Sequence, residues 1–170
     1  MLLYRVAKTD LATEKGNTEY FLMNLDNNQV MKTDILGGKT FVQWDKNGMY
    51  ATKGNELFRS TDEGNSWKVV SVQLEDAENV RVSPDGKWVA FSKPVLVEKI
   101  LGTDLYSDVK NSKAQVYTDL NYRHWDTWNE GKFNHVFYKE NKEGATGIDI
   151  LKGENFDSPQ KPFGGDEDYI

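Results

Sequence analysis

The chain has 170 residues, of which 28% are charged and 38% are hydrophobic, and its formal net charge is −6. This composition is typical of a globular domain, and the negative charge argues against nucleic acid or an anionic membrane surface as a partner. The absence of cysteine excludes disulfides, thiol catalysis and cysteine-bound zinc, and no apolar run is long enough to span a bilayer.

Short strands separated by turn residues follow one another along the first half of the chain. The strand-like segments are LLYRVAK, EYFLMNLD, QVMKTDI, KTFVQW, MYATKG, NELFRS, SWKVVSVQ, NVRVS and KWVAFSK. Their β-branched and aromatic residues suit the faces of a sheet, and the Gly, Pro, Asn and Asp residues between them suit hairpin turns. The sequence therefore predicts an all-β fold of antiparallel hairpins.

The turns recur at an interval near 40 residues. Gly48 closes the turn WDKNG and Gly86 closes the turn VSPDG, and these two glycines are 38 residues apart. Four short strands in such an interval is the size of a β-propeller blade. We therefore expect a partial propeller of about three four-stranded blades. The expected blades cover residues 1–38, 39–78 and 79–160, with the start of a further blade at 161–170.

Two features of this pattern bear on the extent of the chain and on its regularity. A strand begins at residue 2 and another one starts near the last residue, so the chain is expected to be an excerpt. The third predicted blade is interrupted by an insertion at about residues 94–121. Leu101, Leu105 and Val109 recur there at helical spacing, which predicts helical turns inside the insertion.

The segment SPDGKWVAFS is interpreted as a structural blade turn. Pro84 presets its own φ, Asp85 caps the turn through its side chain, and Gly86 takes the positive φ. Trp88 follows and is expected to pack between sheets. The same turn recurs in propellers of the TolB and prolyl-oligopeptidase kind.

The segment STDEGNSW matches the Asp-box pattern S-x-D-x-G-x-x-W. The matching residues are Ser60, Asp62, Gly64 and Trp67. In Asp boxes of sialidase-type propellers the Ser and Asp organise a hairpin turn and the Trp packs beneath it, away from the catalytic site. A structural role is therefore expected. A sialidase would also need converging arginines, and nothing marks three of the four arginines of this chain as converging.

No pattern for a metal, a cofactor or a catalytic nucleophile is present. His124 and His135 are 11 residues apart, which fits no ligand motif. His135 shares a strand face with Phe133 and Phe137, which favours a packed histidine. Neither a G-x-S-x-G elbow nor a Gly-rich phosphate loop occurs. The acidic runs at residues 75–78 and 166–168 are interpreted as solvated turns, with attraction of a cationic group as the alternative.

The stretch DLNYRHWDTWNEGKFNHVFY carries the most specific signal. Its R-H-W-D-x-W core is formed by Arg123, His124, Trp125, Asp126 and Trp128, and His135 begins the H-x-F that follows. This arrangement resembles a propeller segment of S9-family serine peptidases, the prolyl-oligopeptidase family. The resemblance is closest to dipeptidyl-peptidase-V-like and acylaminoacyl-peptidase-like members. VSPDGKWVAFSKPV and ENFDSPQKPFGGDEDYI are also similar to the family, so the resemblance covers nearly the whole chain.

The resemblance implies a seven- or eight-bladed propeller that caps an α/β-hydrolase domain holding the catalytic Ser, Asp and His. None of these three can be placed in this chain, so we expect a non-catalytic fragment of a serine peptidase that gates peptide substrates and packs on the hydrolase domain. The R-H-W-D-x-W residues are expected to be structural. Trp125 and Trp128 are expected to fill space, and Trp125→Ala to cost about 3 to 5 kcal/mol.

Four further expectations complete the interpretation. The open edges of a partial propeller favour self-association. Family members are often exported, which implies an exported or periplasmic parent protein. The alternative function is a stand-alone TolB-like or Asp-box module that binds a protein or a glycan. The interpretation predicts no cofactor.

Overall fold

The first sheet is a meander of three antiparallel strands. The computed structural model describes residues 1–108, 110–118, 123–124, 127–161 and 164–165. The strands are β1 (Leu2–Asp10), β2 (Lys15–Met23) and β3 (Val30–Thr33), in the order β1-β2-β3. β2 begins before the predicted EYFLMNLD, because polar residues 15–18 pair in register with β1. Asp10 closes the hairpin by accepting hydrogen bonds from the backbone of Ala12 and the hydroxyl of Thr13.

The second sheet is formed by four consecutive antiparallel strands. They are β4 (Thr40–Asp45), β5 (Gly48–Lys53), β6 (Glu56–Ser60) and β7 (Lys68–Ser71). The turn between β4 and β5 requires a glycine. Gly48 has φ +122°, and a Cβ at this position would lie 2.2 Å from the carbonyl oxygen of Ser60.

The third sheet is interrupted along the chain by the insertion. β8 (Glu78–Val82) and β9 (Trp88–Leu96) are followed by a one-turn helix, α1 (Gly102–Leu105), and by the short pair β10 (Arg123–His124) and β11 (Thr127–Trp128). β12 (Lys132–Glu140) and β13 (Ile148–Asp149) then complete a sheet of order β13-β12-β9-β8. β9 includes residues 94–96, so the irregular part of the insertion begins after Leu96. Val109, the third member of the predicted helical spacing, lies outside the described residues.

Each sheet packs on the next through an apolar core. Leu36, Met49 and Ala51 are buried between the first and second sheets, with Trp44 and Trp67 packed against them. The larger core lies between the second and third sheets. Its buried residues are Tyr50, Leu57, Leu74, Val82, Val89, Phe91 and Phe137.

The side chain of Gln43 joins the second sheet to the third. Its Nε2 donates to the carbonyl oxygen of Val82 at 3.0 Å, and its Oε1 accepts from the backbone N–H of Val82 at 2.9 Å. One side-chain amide thus satisfies both backbone groups of a residue on the neighbouring sheet, as a paired strand would.

The predicted fold class is confirmed. The described residues form an all-β structure with three antiparallel sheets of three or four strands and one turn of α-helix. The first sheet has three strands where four were predicted. The boundaries between the predicted blades stay a prediction.

Candidate functional site

One face of the third sheet carries two buried polar side chains, His135 and Lys139. The β9–β12 register places Lys93 opposite His135, Phe91 opposite Phe137 and Val89 opposite Lys139. Side chains at alternate positions share a face, so these six lie together on the side that packs against the second sheet. A histidine and a lysine are thus embedded in an otherwise apolar layer.

His135 is fully buried, and both of its ring nitrogens have partners. Nε2–H donates to the carbonyl oxygen of Glu154 at 3.0 Å, and Nδ1 lies 2.9 Å from Oδ2 of Asp149. A carbonyl oxygen and an ionised carboxylate can only accept hydrogen bonds. Nε2 is therefore the donor to Glu154, and Nδ1 is the ring nitrogen that faces the carboxylate of Asp149. We call these three residues the His135 network.

The His135 network fastens the segment 148–158 to β12. Asp149 also accepts a hydrogen bond from the backbone N–H of Leu151 through Oδ1, at 2.9 Å. Further along, the backbone N–H of Asn134 donates to Asp157 at 2.7 Å, and that of Ser158 donates to the carbonyl oxygen of Asn134 at 2.7 Å. The segment is therefore held by polar contacts rather than by a long strand pairing.

Lys139 is a second buried basic side chain on the same face, with 1% of its surface exposed. Its Nζ donates to the carbonyl oxygen of Val72, which follows β7, so it links the second and third sheets. Burial lowers the pKa of the Lys139 ammonium, and the nearby charge of Glu75 opposes this shift. The sequence interpretation missed Lys139, although strand alternation from His135 and Phe137 places it on their face.

A groove of about 870 Å³ opens beside the His135 network. We call it the Lys93 groove. It is lined by the end of β9, by Phe137 and by the segment around β13; the lining residues are Lys93, Pro94, Val95, Leu96, Val97, Phe137, Gly147, Ile148, Asp149, Lys152 and Gly153. Nζ of Lys93 lies 4.7 Å from the centroid of the Phe137 ring, a cation–π contact.

The predicted blade turn is held by its own hydrogen bonds and by the neighbouring sheet. Ser83 Oγ donates to Asp85 at 2.6 Å, and this bond is the main cause that lowers the pKa of Asp85. Gly86 has φ +74°. The carbonyl oxygen of Pro84 accepts from Asn47 at 2.9 Å, in the β4–β5 turn. Trp88 differs from the expectation, because it is 43% exposed and packs on Tyr138 at the surface.

The four Asp-box residues form one turn. Ser60 Oγ donates to Asp62 at 2.7 Å and accepts from the backbone N–H of Gly64 at 2.8 Å. Hydrogen bonds from Ser66 and Ser60 lower the pKa of Asp62 to about 2. Nε1 of Trp67 donates to the carbonyl oxygen of Ile35 at 2.9 Å, which ties the turn to the segment between the first two sheets.

The R-H-W-D-x-W segment is described only in part. Arg123 pairs with Trp128, and His124 with Thr127, between β10 and β11. Trp125 and Asp126 lie outside the described residues, so the prediction for Trp125 stays a prediction. The ring of Trp128 is stacked on Tyr117, with centroids 6.1 Å apart, and Trp128 is 47% exposed rather than buried.

The described residues show neither a metal cluster nor a membrane-spanning helix. No three His, Cys, Asp or Glu side chains gather there as metal ligands do. In the same ranges, no helix has the length and apolar character needed to cross a membrane.

Comparison with known proteins places the chain alongside part of one peptidase. Dipeptidyl-peptidase 5 of Porphyromonas gingivalis is 29% identical over 182 residues, which cover 98% of this chain and 25% of that protein. Dipeptidyl-peptidase 5 of Porphyromonas endodontalis is 27% identical over 177 residues, with the same coverage of 98% and 25%. The Schizosaccharomyces pombe protein of that name is 34% identical over 82 residues, 38% of this chain and 12% of the relative.

The chain thus spans about a quarter of the length of the two Porphyromonas relatives. No family model and no solved structure matches it. Homology to dipeptidyl-peptidase 5, an S9-family protein, is shown over this quarter, which confirms the resemblance stated from the sequence.

Proposed function

We propose that this chain is the propeller part of an S9-type dipeptidyl peptidase and acts there as a non-catalytic gate for peptide substrates. The observation that carries the proposal is the match of 98% of the chain to one quarter of dipeptidyl-peptidase 5. The three successive antiparallel sheets support it, because a propeller is built from such units. Catalysis belongs, in this proposal, to a hydrolase domain elsewhere in the parent protein.

A gate requires sheets that keep their positions, and the contacts between the second and third sheets provide this. The two hydrogen bonds between Gln43 and Val82 and the hydrogen bond from Lys139 to Val72 all join these two sheets. Directional contacts of this kind, made where the two sheets pack, fix one relative arrangement of the layers. Loosening them should admit larger peptides without touching the chemical step.

The test uses the complete product of the gene that contains this chain. The protein should release dipeptides from the amino terminus of short peptides and act more slowly on long ones. Gln43→Ala should raise the rate on long peptides relative to a dipeptidyl chromogenic substrate. Gln29→Ala is the matched control, because that glutamine is exposed and bonds only within its own turn among the described residues.

The outcomes separate the two parts of the proposal. If no dipeptide is released, the peptidase assignment is wrong, and the alternative of a binding module for protein or glycan becomes the better account. If dipeptides are released but Gln43→Ala leaves the preference for short peptides unchanged, the gating role of this sheet interface is wrong. Export, also part of the proposal, is tested by fractionating cells that express the complete gene.

Self-association of the isolated 170-residue chain is a further part of the proposal. β1 is a nine-residue strand that pairs only with β2 among the described residues, so its outer edge offers free backbone groups. Light scattering should show oligomers that Leu2→Lys reduces, since a charge on an edge strand opposes pairing. Leu11→Lys, in the β1–β2 turn, should have no effect. A monomer at high protein concentration would refute this part.

A further inference from the structure

The Lys93 groove combines an apolar lining with unpaired positive charge. Its volume of about 870 Å³ lies within the range of small-molecule sites, and most of its lining side chains are apolar. Lys93 and Lys152 form no ion pair among the described residues. The groove lining therefore contains two lysines beside apolar side chains, in a protein whose net charge is −6.

The one carboxylate in the groove lining does not cancel these charges by direct contact. Asp149 has His135 on one oxygen and the backbone N–H of Leu151 on the other. The charge of Glu75 also acts on Lys93, without an ion pair between the two among the described residues. The positive charge of Lys93 and Lys152 is thus left for a ligand.

The lining of the Lys93 groove leaves space for a ligand beside Gly153. A Cβ at Gly153 would meet no heavy atom within 4 Å, whereas one at Gly147 would lie 3.1 Å from the Phe91 ring. The backbone at Gly153 therefore borders open volume. Phe137 and the end of β9 provide the apolar part of the lining.

We propose that the Lys93 groove binds a short peptide by its free terminal carboxylate, with the carboxylate on Lys93 and Lys152 and the last, apolar side chain on Phe137 and Val95. Charge complementarity selects this occupant. Two lysines repel a cationic amino terminus, and the apolar lining disfavours nucleic acid. The inference concerns binding by this chain alone and does not depend on peptidase activity.

The test is a calorimetric titration of the 170-residue protein with the tripeptide Ala-Ala-Phe as the free acid and as the amide. The free acid should bind, and the amide should bind about tenfold more weakly or worse, since the amide has no negative charge for the two lysines. Lys93→Met and Lys152→Met should each weaken binding of the acid by a similar factor. Lys93→Arg should retain it, because the charge and the contact with Phe137 are kept.

Lys142→Met is the matched control. This lysine is exposed and paired with Glu140, away from the groove lining, so binding should not change. Circular dichroism spectra recorded before each titration identify any variant that has lost its fold. Lys152 is exposed, so Lys152→Met should fold and keeps the test valid even if Lys93→Met unfolds. Equal affinity for acid and amide, no binding of the acid at millimolar concentration, or unchanged affinity in the lysine variants would each overturn the inference. Octanoate binding as tightly as the peptide would overturn the assignment to peptides.

Discussion

Replacing His135 by leucine tests whether the buried polar network stabilises the third sheet. The ring donates one hydrogen bond to the carbonyl oxygen of Glu154, and its Nδ1 lies 2.9 Å from the carboxylate of Asp149. A bond to a charged group contributes about 1.5 to 3 kcal/mol and a neutral one about 1 kcal/mol. Leucine keeps an apolar side chain of similar size in the layer, so the expected loss is about 3 kcal/mol of unfolding free energy.

The assay is thermal unfolding followed by circular dichroism. In a chain of this size a loss of 1 kcal/mol lowers the melting temperature by about 2 to 4 °C, so His135→Leu should melt about 6 to 12 °C below the wild type. Asp149→Asn keeps an acceptor for the ring and should cost less. The double variant should show coupling on the order of 1 to 2 kcal/mol, because the two residues share one contact.

The control is Lys142→Met, which removes an exposed ion pair with Glu140 and should change stability by less than about 1 kcal/mol. A melting temperature of His135→Leu equal to that of this control would refute the reasoning. It would mean that the cost of burying the ring cancels its two bonds.

Three further variants test other contacts of the fold. Burial lowers the pKa of Lys139 in the folded protein below its ordinary value of 10.5. At a pH between these two pKa values the unfolded chain binds more protons than the folded one, so the free energy of unfolding should rise with pH. Lys139→Met should lack this rise when unfolding is measured in urea. The pKa of Asp62 is lowered to about 2, so the ionised carboxylate should stabilise the folded protein at neutral pH, and this stabilisation should be lost as pH falls from 3.8 through 2. Asp62→Asn should therefore flatten that part of the acid unfolding curve. An unchanged curve would contradict the Asp-box geometry. Trp67→Phe keeps a ring but removes the bond to Ile35, so it should cost about 1 kcal/mol, and no loss would show that this bond contributes nothing.

The features that could be predicted from sequence are those fixed by neighbouring residues. The hairpin turns that end at Gly48 and Gly86 follow from the residues that supply positive φ, and both occur where expected. The placement of His135 beside Phe137 follows from strand alternation. Its partners Asp149 and Glu154 are 14 and 19 residues further along, and no local pattern specifies such contacts.

The features that were missed depend on how whole sheets meet. Gln43 bonds to Val82 and Lys139 bonds to Val72, over separations of 39 and 67 residues. Trp88 was expected to pack between sheets after the blade turn, and Trp128 was expected to fill space because of its size, yet both are exposed by more than 40%. Whether a large aromatic is covered depends on which face of a sheet has a neighbour, and residue type alone does not determine this.

The central claim is that this chain is the propeller part of a longer serine peptidase. Sequencing the gene upstream and downstream of the 170 codons tests this claim most directly. The account predicts one open frame that adds further blade turns and then a G-x-S-x-G segment with a later Asp and His, in the length ratio that the Porphyromonas relatives show. A stop codon directly after Ile170, with no coding sequence upstream of Met1, would contradict it.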